Sequence, residues 1–422
     1  MTGEVSALSA LGVTVFLVLY RPTVWGMRVG PALAAIIGIA LMAMAGHVTR
    51  QNFMEAGAVL WRPMIAVASI MVIAAAAVHL GVVNRLAGIV ARTGGDTARG
   101  LFWRIFFLGT LTAAILNNDS AIIVLTPLVI GLIRTLYPER PDLIVPFAFA
   151  VFLSAGVAPV VTANPINLIV ADFAGLDFNQ YARLMIPVAI GSAVVTYLVL
   201  ERIFASRLAP ELETGRAELP PAEPWSPMER HGLILVLGIL CVYPIVTFFD
   251  GSVWVVALLG AIASAALCQF YGAVTPPQLV ARGLSWQILI FLFGIYTLAL
   301  GLRNAGAVDW LITLYEGAGA FTIGAISAIG SALINNHSMA LTNMVAIDAL
   351  PGGDHQFELL TALIGGDLGP RLLPIGSLAG LLWYATLDRM DVHVSIGQFA
   401  AIGTLVTIPS LTAALLILMV MT

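Results

Sequence analysis

The sequence predicts an all-α polytopic membrane protein built as an inverted repeat of two halves. The 422 residues are 60% hydrophobic and 10% charged, with a mean hydropathy of +0.99, which is too apolar for a soluble protein of this length. Apolar runs long enough to cross a hydrocarbon core of about 30 Å as a helix recur along the whole chain. A polar motif also occurs twice, once in each half. We therefore expect each half to hold five transmembrane helices, one of them broken, and one re-entrant helical hairpin.

The elements follow from the apolar runs in chain order. Residues 5–20 have no basic segment before them and no small-residue cleavage site after them, so they are interpreted as a retained span and not as a signal peptide. Two further segments, 99–136 and 318–350, are pairs of apolar arms around a polar tip and are the predicted hairpins. The ten predicted spans are 5–20, 28–46, 61–80, 143–175, 183–204, 231–249, 252–271, 286–303, 357–387 and 396–421.

The distribution of basic residues predicts the orientation in the membrane. The chain has no lysine, and most arginines between the predicted spans fall on one side. Only Arg50, Arg62, Arg183 and Arg303 fall on the other. By the positive-inside rule, both termini are periplasmic in a bacterial inner membrane. Residues 206–228, rich in Pro and Glu, form a cytoplasmic linker between a first repeat, 1–205, and a second repeat, 229–422.

The two halves share sequence features. The segment that begins at Trp61 aligns without gaps with the segment that begins at Trp286, and "LNNDS" from Leu116 recurs as "INNHS" from Ile334. An odd number of spans per half inserts the second half upside down relative to the first. This arrangement is typical of secondary transporters.

Two predicted spans, 143–175 and 357–387, are too long for one crossing and are interrupted midway. "APVVTANPINL" interrupts the first and "GGDLGPRLLPIGS" the second; paired Pro and Gly residues favour unwinding at both places. If the hairpins enter from opposite sides, their tips meet these breaks at the bilayer centre. The alternative is that each arm spans the bilayer fully and the tips are ordinary extramembrane turns.

Polar residues at the tips and breaks are the candidate site residues. Asp119 and Asp367 are candidate proton carriers, because a carboxylate at membrane depth is costly unless it serves a function or has a partner. Asp119 has the alternative interpretation of a helix cap, Asp367 that of a structural partner of Arg371, and His337 that of an ordinary hydrogen-bonded residue. The remaining candidates are expected to line a polar cavity: Asn117, Asn118, Asp119, Ser120, Asn164, Asn167, Asn335, Asn336, His337 and Ser377.

Composition and motifs argue against several other functions. The near-neutral charge balance argues against nucleic acid as a partner. Cys241 and Cys268 lie in separate apolar runs, which argues against a disulfide framework and against a thiolate metal site, and we predict no cofactor. The chain has no His-Glu-x-x-His motif and no hydrolase-type Ser/His arrangement, so an intramembrane enzyme is disfavoured. The short linker offers little surface for an obligate ATPase anchor.

At the tips and breaks the sequence resembles the ArsB-type arsenical pump membrane proteins, which are arsenite and antimonite efflux permeases of the ion transporter superfamily. The resemblance covers nearly the whole chain and is carried by "NNDSAIIVLTPLVI", "ANPINLIVADFAGLDFNQYARLMIPV" and, most specifically, "GGDLGPRLLPIGSLAGLLW". Two positions depart from the family pattern: Ser120 replaces a small residue, and His337-Ser338 replaces Met-Pro or Leu-Pro. The residues carried over by position are Asn118, Asp119, Asn164, Asn167, Asn336, Asp367 and Ser377.

The resemblance implies export of As(OH)₃ or Sb(OH)₃ by alternating access, driven by proton influx, in some members with a cytoplasmic arsenite-stimulated ATPase subunit. An uncharged trihydroxide suits amides and carboxylates better than a cluster of cations. The nearest alternative within transport is a sodium-coupled dicarboxylate carrier or a sodium/proton antiporter of the same superfamily. A dicarboxylate carrier is expected to carry Ser-Asn-Thr at its tips, and this chain has Asn-Asn-Asp-Ser and Asn-Asn-His-Ser.

Overall fold

The computed structural model describes residues 2–20, 22–24, 27–93, 97–209, 224–353 and 355–422. Over these residues the regular secondary structure is helical, apart from two strands of two residues each, Thr23–Val24 and Met27–Arg28, which pair antiparallel. Eight of the described helices are long and apolar enough to cross a membrane. The predicted all-α membrane fold is therefore confirmed, and the protein is a multi-pass membrane protein.

The helices are numbered in chain order. Those before the linker are α1 Thr2–Tyr20, α2 Pro31–Met44, α3 Arg50–His79, α4 Val82–Thr93, α5 Ala98–Ile115, α6 Asn118–Leu136, α7 Ile144–Ser154, α8 Pro165–Phe173 and α9 Phe178–Ile203. Those after it are α10 Pro227–Phe248, α11 Val253–Phe270, α12 Pro276–Gly283, α13 Trp286–Asn304, α14 Asp309–Tyr315, α15 Ala320–Ile334, α16 Asn336–Asp348, α17 Gln356–Leu368, α18 Leu378–Arg389 and α19 Ile396–Met421.

Several boundaries differ from those that hydropathy predicts. The third helix begins at Arg50 and not at residue 61, because Thr49 and Asn52 form a reciprocal cap ahead of the apolar run. The short helices α4, α12 and α14 were not predicted, since none contains a long apolar run. Helix α10 begins at Pro227, inside the predicted linker, where Ser226 and Glu229 form a capping box. Most of the linker, residues 210–223, lies outside the described residues.

Both long segments are interrupted at the Gly/Pro positions. The first break lies between α7 and α8, with a 3-10 turn at Val161–Ala163. The second lies between α17 and α18, with 3-10 turns at Gly369–Arg371 and Pro374–Gly376. The helix after each break is capped in the same way: the side-chain oxygen of Asn164 accepts from Ile166 N, and that of Ser377 accepts from Gly380 N.

The helices pack in two groups, and each group takes helices from both sides of the linker. Helices α1–α3 pack with α10–α13 and are called here the scaffold bundle. Helices α5–α9 pack with α15–α19 and contain both tips and both breaks; they are called here the hairpin bundle. The scaffold bundle meets the hairpin bundle along α3 with α8 and along α13 with α16. The predicted site residues thus lie in the hairpin bundle.

Aromatic rings fix α7 against the helices beyond the second break. The ring centroid of Phe152 lies 5.1 Å from that of Trp383 on α18 and 5.2 Å from that of Phe399 on α19. Phe149 lies 5.4 Å from Trp383 in an edge-to-face arrangement. All four side chains are buried, and such pairs stabilise by about 0.5–1.5 kcal/mol beyond the area they bury. The two breaks are therefore held at a fixed separation.

Glycine allows α19 to approach the second break closely. A Cβ atom at Gly403 would lie 1.7 Å from the carbonyl oxygen of Arg371, which belongs to the backbone and cannot rotate away. Close approach at small residues is the usual way in which membrane helices pack. Gly403 therefore sets the distance between α19 and the break.

We expect Gly403→Ala to lower the thermal stability of the detergent-solubilised protein, since overpacking costs about 1–3 kcal/mol. Gly397→Ala is the matched control, because the nearest atom to its added Cβ is 4.0 Å away on the same helix. That change is expected to leave stability unchanged or to raise it slightly. Equal melting temperatures for the two variants would contradict this account of α19 packing.

Candidate functional site

Each hairpin tip has an asparagine with a positive φ that caps the following helix, but the φ values and the capped amides differ. Asn117 and Asn335 each take a positive φ, of 154° and 76°, which asparagine tolerates better than most residues. Their side-chain oxygens then cap the helix that follows, with Asn117 accepting from Ser120 N at 2.7 Å and Asn335 from His337 N at 3.1 Å. These oxygens are engaged in forming the tips.

Polar side chains from elsewhere in the fold satisfy the carbonyl groups at the end of α7. The guanidinium of Arg371 donates to Leu153 O at 2.6 Å, to Ala155 O at 3.1 Å and to the hydroxyl of Thr196 on α9 at 3.0 Å. Arg371 is 3% exposed. A cation at the C-terminal end of a helix also interacts favourably with the helix dipole. Arg371 therefore stabilises the first break from the second half of the chain.

The first hairpin tip completes this set of contacts. The side-chain amide of Asn118 donates to Gly156 O at 3.0 Å. Without such a donor this partly buried carbonyl would lose its hydrogen-bond partner, which costs about 1–3 kcal/mol. Asn118 thus joins the tip of the first hairpin to the first break.

Asp367 joins the second broken helix to the first. Its Oδ1 accepts from the side chain of Asn164 at 2.9 Å, and its Oδ2 accepts from the side chain of Asn167 at 2.8 Å and from Ala158 N at 3.2 Å. The Tyr181 hydroxyl donates to Ala158 O at 3.2 Å and lies 2.8 Å from the same Asn167 amide. Every described hydrogen bond to the carboxyl of Asp367 comes from an N–H donor, the kind of partner that stabilises an ionised carboxylate.

The tips and breaks enclose a small cavity, called here the inner cavity. Its volume is about 30 Å³, enough for roughly two waters. Among the described residues, several of its polar groups have no hydrogen-bond partner and could bind a solute: the Asp119 carboxylate, the side-chain oxygen of Asn118, the side-chain N–H₂ of Asn336 and the hydroxyl hydrogen of Ser377. The polar lining residues are Asn118, Asp119, Asn164, Asn336, Asp367, Arg371 and Ser377.

Asp119 also lines a larger cavity, of about 390 Å³, called here the Asp119 vestibule. This cavity lies between the scaffold and hairpin bundles, with His79, Arg282 and Ser285 on the scaffold side and Ser120 beside Asp119. Among the described residues, no group forms a hydrogen bond or an ion pair with the Asp119 carboxylate. A carboxylate of this kind, shared by two cavities, is a candidate for proton exchange.

The structure brings most of the predicted site residues together, but not all of them. Asn117 and Ser120 line the Asp119 vestibule and not the inner cavity. His337 lines neither: its Nδ1 lies 3.3 Å from the side-chain oxygen of Asn335 and its ring packs against Phe291. The Nε2 atom of His337 is buried without a partner in the described part of the chain. His337 therefore contacts Asn335 at the second tip without lining either cavity.

Two structural roles were not found from the sequence. Tyr181 is absent from the predicted site residues. A buried tyrosine in an apolar segment needs a hydrogen-bond partner. Here the Tyr181 hydroxyl accepts from the Asn167 side chain and donates to Ala158 O. Arg371 was considered as a partner of Asp367, but its described hydrogen bonds go to α7 carbonyls and to Thr196. Long-range contacts of this kind carry no local sequence pattern.

Comparison with known proteins gives the family. The family model of arsenical pump membrane proteins matches residues 7–422. The chain belongs to the arsenical pump membrane protein family. The resemblance predicted from the tip and break motifs is thereby confirmed.

Individual relatives agree with this family along nearly their whole length. The Escherichia coli protein named arsenical pump membrane protein is 29% identical over 413 residues, covering 95% of each chain. A putative arsenical pump membrane protein of Bacillus subtilis is 25% identical over 431 residues, also covering 95% of each. Among solved structures, the YdaH transporter of Alcanivorax borkumensis has a TM-score of 0.58 and 18% identity, over 99% of this chain and 97% of that one. This last likeness shows the fold alone.

We expect Asp367→Asn to destabilise this arsenical pump family member. Asparagine offers one acceptor oxygen where the carboxylate has two, and its own N–H₂ would face N–H donors; each buried group left unpaired costs about 1–3 kcal/mol. Thermal unfolding in detergent checks this expectation. Asp348→Asn, at an exposed position at the end of α16, is the control and should unfold like the parent. An Asp367→Asn protein as stable as the parent would show that this carboxylate does not hold the breaks together.

Proposed function

We propose that this chain is a proton-coupled secondary transporter that exports arsenite as neutral As(OH)₃ by alternating access, and antimonite by the same chemistry. The proposal depends on one observation. Among the described residues the Asp119 carboxylate has no hydrogen-bond or ion-pair partner, and it lines both the inner cavity and the vestibule. Family membership supports an arsenical as the substrate. The scheme needs no cofactor and no ATPase subunit; a cytoplasmic arsenite-stimulated ATPase would be an additional partner.

The free polar groups of the inner cavity suit a neutral trihydroxide. As(OH)₃ carries hydroxyl groups that both donate and accept, so it can donate to the Asp119 carboxylate and accept from the Asn336 amide and the Ser377 hydroxyl. Arg371, the one guanidinium that lines the inner cavity in the described residues, has its terminal nitrogens engaged by α7 carbonyls and Thr196. An anionic substrate would therefore have to compete with these acceptors for the terminal N–H groups of Arg371, and its Nε, which has no partner among the described residues, is buried.

Coupling follows if a proton and the substrate exclude each other at Asp119. A deprotonated carboxylate accepts a substrate hydroxyl, whereas a protonated carboxyl offers a donor in place of that acceptor and weakens binding. Because linkage is reciprocal, bound substrate then favours release of the proton to the cytoplasm. Proton entry from the periplasm favours substrate release there. This direction of coupling between proton and substrate is the one that export driven by proton influx requires.

The inner cavity in this conformation is too small for a solute of four heavy atoms, while the Asp119 vestibule is large enough. The predicted orientation places Arg282, and so the vestibule, on the cytoplasmic side, with both termini periplasmic. In our scheme the substrate enters through the vestibule, and movement of the hairpin bundle against the scaffold bundle transfers it past Asp119. In this scheme Asp367, engaged by three N–H donors, holds the breaks together during this movement and is not the group that exchanges the proton.

The test is arsenite accumulation in inside-out vesicles under an imposed pH gradient, acidic inside. The parent should accumulate arsenite in response to the proton gradient and should ignore a sodium gradient. We expect Asp119→Asn to reduce accumulation at least tenfold, because the permanently neutral side chain cannot exchange a proton. Asp388→Asn, an exposed position at the end of α18, is the control and should behave like the parent. Accumulation that follows sodium would support the sodium-coupled alternative, and normal transport by Asp119→Asn would overturn the coupling role.

The same competition predicts a pH dependence of binding on the loading side. Below the pKa of the coupling carboxyl, one competing proton raises the half-saturating arsenite concentration about tenfold for each unit by which the pH falls. Equilibrium exchange at equal pH on both sides measures this dependence. The residual exchange of Asp119→Asn should lose it, and a variant that kept the parental slope would show that another group carries the proton.

A further inference from the structure

A second cavity, of about 170 Å³, reaches the first break beside the middle of α3. Its lining on α3 runs from Arg62 to Ala66, whereas the Asp119 vestibule meets α3 between Met71 and His79. At 1.5 Å per residue, Arg62 and His79 are separated by about 25 Å along the helix axis. The two cavities therefore meet α3 at different levels, one at the start and one at the end of the apolar run predicted as a span, 61–80.

This cavity extends from the surface to the unwound backbone. Its mouth holds Arg62 and Asp172, which are exposed, and its floor is formed by the buried side chains of Val161 and Leu168. Val161 belongs to the 3-10 turn of the first break, three residues before Asn164, whose side chain binds Asp367. The turn that carries Val161 thus lies between this cavity and the inner polar site.

The charged groups at the mouth form no described hydrogen bond, but Arg62 and Asp172 interact electrostatically with each other. The Arg62 guanidinium lies 5.1 Å from the centroid of the Trp61 ring, and no hydrogen bond or ion pair of its side chain, or of the Asp172 carboxylate, occurs among the described residues. Asp177, beside them, is different because its carboxylate caps α9 by accepting from Gln180 N at 2.8 Å. A carboxylate and a guanidinium that attract each other, and that make no described hydrogen bond, therefore face one cavity.

We propose that this cavity is a second binding site for the neutral arsenic trihydroxide, on the release side of the membrane, with Asp172 accepting a substrate hydroxyl and Arg62 donating to a substrate oxygen. The inference rests on the proposed function. Arg62, Asp172 and Asp177 give the lining a formal charge of −1 (+1 − 2), which disfavours an anion, and the carboxylate of Asp172 beside the guanidinium of Arg62 suits a small solute with both donors and acceptors. Its volume exceeds that of the inner cavity more than fivefold.

The position of the cavity fits a release step. Its walls come from both groups of helices, with α3 and the α10–α11 loop from the scaffold bundle and α8 from the hairpin bundle. Because α8 begins at the capping residue Asn164, any movement of the hairpin bundle that widens the inner cavity also moves this wall. The site therefore receives the substrate after it passes the break and holds it before it enters bulk water.

The first experiment measures arsenite exchange without a pH gradient, with the half-saturating concentration determined separately from each membrane face. We expect Asp172→Asn to raise that concentration at least fivefold from the periplasmic face and to leave the cytoplasmic value unchanged. Asp250→Asn is the control: it lies on the neighbouring α10–α11 loop, it takes a positive φ of 58° that asparagine adopts readily, and it should match the parent. Parental values from both faces for Asp172→Asn would overturn the second site while leaving the proposed function intact.

The second experiment tests the location of the cavity without any substrate. Ser252 lines this cavity and Ser285 lines the Asp119 vestibule; each is an N-cap serine whose side chain makes no cap hydrogen bond. In a background with Cys241→Ala and Cys268→Ala, we expect a membrane-impermeant thiol reagent to label Ser252→Cys in intact cells and Ser285→Cys in inside-out vesicles.

Labelling of both cysteines from one face, or of Ser252→Cys from the cytoplasmic face alone, would overturn the assignment to the release side. If the parent fails to exchange arsenite at all, the proposed function fails and the second site fails with it as an arsenite site. The labelling result then still decides whether two cavities open on opposite faces.

Discussion

The structure depends on supplying hydrogen-bond partners to the unwound backbone of the first break. Between Leu153 and Ala158 the chain leaves the helix, and its carbonyl and amide groups lose their regular partners. Water cannot replace those partners in hydrocarbon, so side chains must. Arg371, Asn118, Asp367 and Tyr181 supply the missing hydrogen bonds from four separate elements. One local defect in a helix thereby ties the first hairpin, the second broken helix and α9 together.

Because of this requirement, the two acidic residues of the site differ in their hydrogen bonding. The carboxylate of Asp367 is engaged by three N–H donors, which suits a fixed connection between the two broken helices. Asp119 has no such partner among the described residues and lies where two cavities meet. Two acids that look alike in the sequence are thus placed for different tasks. The engaged acid maintains the geometry, and the free acid is available to a proton or to a substrate hydroxyl.

The fold class and the main polar positions could be predicted because they depend on local patterns. Apolar runs gave the long helices, and Gly/Pro pairs gave both breaks. The repeated Asn-Asn-x-Ser motif marks the positions of Asn117 and Asn335, but it does not predict their positive φ values. The contacts of Arg371 with Leu153 and of Asp367 with Asn164 span about 200 residues, so no local pattern encodes them. The cavities beside α3 depend on how two groups of helices pack, which hydropathy does not report.

The central claim is that Asp119, and not Asp367, is the carboxyl that exchanges a proton when the substrate binds. Infrared difference spectroscopy of the purified protein, with and without arsenite at a fixed pH, tests this claim most directly. The account predicts that arsenite removes the C=O band of a protonated carboxyl, and that this change is absent in a protein with asparagine at position 119. The account is contradicted if the band change persists in that protein and disappears when position 367 is substituted instead.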